Sequence, residues 1–149
     1  MKRSDRLKTL TRLTESAERL ARIQLAKATQ EVQRKRAQQT QLEEYLGEYR
    51  RNLIASGEQG ISGHALSRHR VFLDGLERTI ETQVSAVAKA QHALQQSMAI
   101  WHAQRQRHQV FDGLVDAAKA EENREVLRKE QKALDESGSR SRGDLYHPL

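Results

Sequence analysis

No proline occurs before Pro148, and apolar side chains recur at intervals of three and four through most of the chain that precedes it. A chain with no proline break and one sustained helical rhythm is confined to long helices. The rhythm lapses once, in ASGEQGISGH at residues 55–64, where three glycines fall within seven residues. Such a cluster without apolar periodicity marks a turn. Two helices joined by a turn this short pack antiparallel. The spacing therefore predicts an all-α fold, a long antiparallel two-helix coiled-coil hairpin over residues 1–136. The first helix is expected at about 4–55, the turn at about 56–62 and the second helix at about 62–136. The last stretch, SGSRSRGDLYHPL at 137–149, reads as a disordered tail.

The stripe of the first helix runs Leu10, Thr14, Ala17, Ala21, Leu25, Ala28, Val32, Lys35, Gln39, Leu42, Leu46, Tyr49, Leu53, widened at its start by Leu7, Leu13 and Leu20. Ser4 is its expected N-cap, with Asp5 in the first turn. Lys35 and Gln39 leave the middle of the stripe polar. The second stripe is longer: Leu73, Leu76, Ile80, Gln83, Val87, Ala90, Leu94, Ser97, Trp101, Gln104, His108, Phe111, Val115, Ala118. Ser62 is its expected N-cap. At 1.5 Å per residue the two helices differ in length by roughly 30 Å. With the turn centred near residue 59, facing residues add to about 118, which sets Phe111 near Leu7. Beyond Val115 the second helix is expected to overhang without a partner. Gly47, Gly75 and Gly113 interrupt the helical pattern for no reason visible in the sequence.

Hydrophobic residues make up 36% of the 149 and charged residues 31%. That is too little apolar matter for a compact core and enough for two narrow stripes. The chain has no cysteine, so disulfides and thiolate chemistry play no part. No apolar run is long enough for a signal peptide or a membrane span, and a cytoplasmic location is expected. The formal charge of +6 is uneven: residues 1–36 carry eleven Lys/Arg against four Asp/Glu, whereas 37–136 carry thirteen against fifteen. The basic start would be drawn to an acidic surface, whether protein, lipid headgroup or nucleic acid.

Aromatic residues make up only 4%, yet Tyr45 and Tyr49 stand one helical turn apart. The register sets them opposite residues 69–73, so Tyr45, Tyr49, Phe72 and Leu76 gather near the turn. Packing accounts for Tyr49 and Leu76, which lie on the stripes. Tyr45 and Phe72 each fall one residue off them. A two-helix hairpin leaves such rings partly in water, and exposed aromatics mark binding surfaces. On these grounds docking and packing weigh equally.

Further residues carry a resemblance. LEEYLGEYRRNL at 42–53 is followed by GIS at 60–62, FLDGLERTI at 72–80, a lone tryptophan at 101, and EENREVLRKEQKALDE at 121–136. In order and spacing this resembles the FliJ family of flagellar export proteins, over most of the chain. The resemblance implies an antiparallel hairpin like the stalk of a rotary ATPase, acting in type III protein export, flagellum biogenesis and so in chemotaxis. It implies three partners: the hexameric flagellar export ATPase, the export gate membrane protein, and export chaperones. It implies a protein held peripherally at the inner face of the cell membrane at the flagellar base. The family's gate-binding face falls here on Gln38, Leu42, Tyr45, Tyr49, Phe72 and Leu76, with Thr79 and Gln83 further along. A stalk protein of a virulence-type secretion system is the alternative within the same class.

No catalytic constellation is visible. None of His64, His69, His92, His102, His108 and His147 shows the i,i+4 spacing of a helical metal site, and His108 falls on a stripe, where an interhelical hydrogen bond is expected. There is no phosphate-binding glycine loop and no nucleophile motif. A two-helix hairpin also lacks a water-excluding pocket. The reading is a binding protein rather than an enzyme, with no cofactor, metal or small-molecule substrate. A basic coiled-coil protein that binds nucleic acid is the alternative of another class. The sequence argues against it, because the tyrosines are separated from the basic stretch.

Overall fold

A computed structural model describes residues 1–145, with side chains described as far as Gly143. It consists of two helices, α1 (Arg3–Glu58) and α2 (Gly63–Leu145), of 56 and 83 residues. No strand occurs among the described residues. The helices pack antiparallel along their apolar stripes, so the fold is the all-α hairpin that the periodicity predicts. α1 ends three residues later than its pattern suggests. Of the stretch expected to be a disordered tail, 137–145 continues α2, and 146–149 lie outside the described residues.

The turn is short because two residues end α1 tightly. The Gln59 and Gly60 amides donate to the Ser56 and Gly57 carbonyls, at 3.2 and 3.1 Å. Gly60 has φ = 92°, a left-handed backbone that glycine adopts without Cβ strain. Ser62 then caps α2: its Oγ accepts from the Ala65 amide at 3.1 Å, and its carbonyl from Leu66 at 3.0 Å.

The chain divides into two compact units, one of Met1–Glu18 with Gln104–Leu149, the other of Arg19–Ala103. In the second unit the seam buries Ala21, Val32, Leu76 and Val87. Its polar middle is closed by Gln83, whose Nε2 donates to the Lys35 carbonyl at 2.8 Å and to Gln38 Oε1 at 3.2 Å. Facing residues here add to 118, as in Lys35–Gln83 and Tyr49–His69, which is the expected register.

In the first unit the seam buries Val115 and Ala118 of α2 and Ser4, Thr14 and Glu18 of α1. Thr14 Oγ1 donates to the Thr11 carbonyl at 2.9 Å and sits 3.2 Å from His108 Nδ1. The Thr14 hydroxyl thus links the turn of its own helix to His108 across the seam. The pairs Thr14–His108 and Ser4–Glu122 add to 122 and 126, not 118. Phe111 accordingly lines a cleft with Leu10, Leu13 and Ala17 instead of standing opposite Leu7. Pairing extends to Glu122, past the Val115 limit expected from the sequence. Asn123 to Gly143 are all exposed.

Ser4 is not the N-cap of α1. The Lys2 carbonyl accepts from the Asp5 and Arg6 amides at 3.2 and 3.3 Å, which makes Lys2 the cap residue. The Ser4 amide and hydroxyl donate instead to the two carboxylate oxygens of Glu122, at 3.1 and 2.7 Å. An otherwise orphan N–H of the first turn is therefore satisfied from the other helix, and a carboxylate stands at the positive end of the helix dipole. These hydrogen bonds from Ser4 hold the Glu122 carboxyl below its ordinary range, with Lys2 and Lys8 adding to the effect.

Candidate docking surface

The eight residues singled out from the sequence all lie in the unit Arg19–Ala103, on helical turns of α1 and α2 that face each other. Their environments differ. Leu76 is core, 8% exposed. Gln38 and Gln83 are half-buried and bonded to each other across the seam. Leu42 and Tyr49 are half-buried on the α1 stripe. Thr79 is exposed, and its hydroxyl donates to the Gly75 carbonyl of its own helix at 2.9 Å. Only two large apolar side chains of the set stand in water: Tyr45 is 49% exposed and Phe72 42%.

The rings form one cluster. Tyr49 lies against Phe72 with centroids 4.6 Å apart, and Tyr45 meets Phe72 edge-on at 6.3 Å and 74°. Edge-to-face contacts of this kind are worth about 0.5–1.5 kcal/mol beyond burial. They hold the rings in place without removing them from solvent. The arrangement follows from the sequence. Tyr45 and Tyr49 share a face of α1 at i,i+4, and the register of 118 delivers Phe72 between them. Arg50, 100° on from Tyr49 around the helix, forms an ion pair with Glu77.

The sequence reading missed His69. Its Nδ1 is hydrogen-bonded to the Tyr49 hydroxyl, and its ring is tilted at 58° to Tyr49 with centroids 5.6 Å apart. The signal was present, because the same register sets residue 69 opposite residue 49.

The first unit carries a lesser apolar site. Leu10, Leu13, Thr14, Ala17, Gln104, Arg107 and Phe111 line a cleft of about 130 Å³. Gln104 Oε1 is buried there without a hydrogen-bond partner, and the Arg107 guanidinium stands 6.0 Å above the Phe111 ring. Among the described residues no cluster of His, Asp or Glu could hold a metal ion. No helix among them is long and apolar enough to cross a membrane.

The profile of the flagellar FliJ protein family matches residues 2–142. The chain belongs to the FliJ family. No curated protein and no solved structure matches it. As a FliJ-family chain it is a component of the flagellar protein export apparatus, and its helical hairpin suits the coiled coil expected of that family.

Proposed function

We propose that this chain is a stalk-like adaptor of the export apparatus and that the Tyr45–Tyr49–Phe72 cluster docks on the export gate. The observation that carries this reading is the exposure of Tyr45 and Phe72 in a chain that is only 4% aromatic. Two rings held by a third and left in water add little to folding and offer much area to a partner. Leu76 is buried in the seam of the same stretch of hairpin and Leu42 is half-buried on the α1 stripe. Gln38 and Gln83 tie the two helices together behind them, and Thr79 extends the exposed face. The unit that carries both termini supplies the second contact, to the export ATPase ring. It holds the exposed residues 123–143 of α2 and the beginning of the basic stretch. Chaperones that escort export substrates are the third class of partner. These contacts would hold the protein peripherally at the inner face of the cell membrane at the flagellar base.

The test is the double variant Tyr45→Ala/Phe72→Ala, assayed against the cytoplasmic portion of the export gate. Binding should drop at least tenfold, since each exposed aromatic anchor is worth upwards of about 1 kcal/mol. Helical content by circular dichroism should stay at the wild-type value. Unchanged binding would remove the docking role. Loss of helicity would show the rings to be structural.

A further inference from the structure

We propose that His69 belongs to the docking surface as the residue that sets the hydrogen-bonding polarity of the Tyr49 hydroxyl, and so the pH range in which the surface engages its partner. This rests on the docking reading above. Tyr49 occupies the middle of the cluster, against Phe72 on one side and His69 on the other. Its hydroxyl has one proton to donate and lone pairs to accept with, and one of these is committed to His69 Nδ1.

Which one depends on the imidazole. With a single ring proton, on Nε2, the Nδ1 atom accepts and the tyrosine donates its only proton inward. What remains facing outward is an acceptor. With both nitrogens protonated, Nδ1–H donates to the tyrosine oxygen, and the tyrosine proton turns outward as a donor. Imidazole is the side chain that ordinarily exchanges these two states between pH 5 and 8.

One turn to either side of His69 stand Ala65, Leu66, Phe72 and Leu73, and around Tyr49 stand Tyr45, Leu46, Asn52 and Leu53. None of these carries a charge. Arg68 and Arg70 leave α2 about 100° to either side of His69, and Arg50 is ion-paired with Glu77. Glu48 is the one carboxylate within these turns, and it leaves α1 about 100° from Tyr49.

With His69 neutral and its proton on Nε2, Tyr49 thus presents an acceptor oxygen beside the rings of Tyr45 and Phe72. The matching partner element presents a donor, a backbone N–H or a side-chain amide, beside an apolar face that covers Tyr45 and Phe72. Acidification turns that oxygen into a donor and sets two donors against each other.

The experiment has two arms. In the free full-length chain, the Tyr49 ¹³Cζ resonance is followed from about pH 8 to 5.5 together with the His69 ring resonances. Both should move with one midpoint, and His69→Gln should abolish the Tyr49 movement. In the second arm, calorimetry with the cytoplasmic portion of the export gate should show affinity about fivefold weaker at the acid end. His69→Gln keeps an acceptor on α2 at this position and cannot titrate, so it should match wild type at neutral pH and show a flat profile. His69→Ala should bind more weakly throughout. A Tyr49 resonance that ignores His69, or gate binding with the same pH profile in wild type and His69→Gln, overturns the inference. Co-titration in the free chain without gate binding at any pH overturns the docking reading instead and leaves the Tyr49–His69 coupling standing.

Discussion

Single side chains decide where α1 begins. Glu122 takes two hydrogen bonds from Ser4, and its carboxyl is held below the usual range by them. A group whose folded pKa is depressed stabilises the native state above its unfolded value, and that contribution disappears as pH falls through the folded value. The amides of the first turn should accordingly be protected from hydrogen exchange at neutral pH and lose protection as acid protonates the carboxylate. In Glu122→Ala protection should be low at every pH, and in Glu122→Gln it should be partial and pH-independent. Equal exchange in all three would show that the carboxylate does not hold the turn. At this scale the sequence misled where polar residues fill the seam. Ser4, Thr14 and Glu18 are buried, whereas Leu10, Leu13 and Leu20 are exposed. A search for leucines follows hydrophobicity, and the seam of α1 follows the positions whose short or hydrogen-bonded side chains let the helices approach.

At the scale of the helix, α2 was the more legible element. Every residue of its stripe from Leu73 to Ala118 is buried or half-buried, because its apolar positions keep phase over about twelve turns and leave one solution. The register of 118 was legible near the turn, where loop length fixes it. It failed in the first unit, where the Ser4–Glu122 bonds and the small seam residues set the pairing. The helical glycines remain without a packing cause. A Cβ at Gly75 or Gly113 would meet nothing within 4 Å, and both sit in ordinary helix. Gly113→Ala should therefore stabilise the chain by about 0.5–1 kcal/mol and raise Tm by a few degrees. A fall in Tm would mean that a partner-free helix here is strained in a way the contacts do not show. Gln83→Ala should cost about 1 kcal/mol by removing the tie to Lys35 and Gln38, measurable as a lower denaturation midpoint at unchanged m-value.

For the whole molecule, no large side chain among the described residues is fully sealed from water. Stability is then spread thinly along the seams, and stretches outside them contribute little. Residues 130–143 are exposed throughout, so a chain ending at Lys129 should melt within about 1 °C of full length, in keeping with small effects at surface positions. The same truncation should weaken binding to the export ATPase if the terminal unit makes that contact. A large drop in Tm would instead show that the end of α2 supports the hairpin. The class of fold was open to reading because a chain with one turn and no proline before Pro148 has few alternatives. The role of the aromatic cluster was only half open. Periodicity located Tyr45 and Phe72 off the stripes, but the partnership of Tyr49 with His69 needed the register to be applied one residue at a time.

The first turn of α1 is fastened by a side chain 118 positions away. During synthesis, the opening residues therefore leave the ribosome long before the group that secures them has been made. That turn waits unfastened until Glu122 has been made, and it stays available to other contacts in the interval.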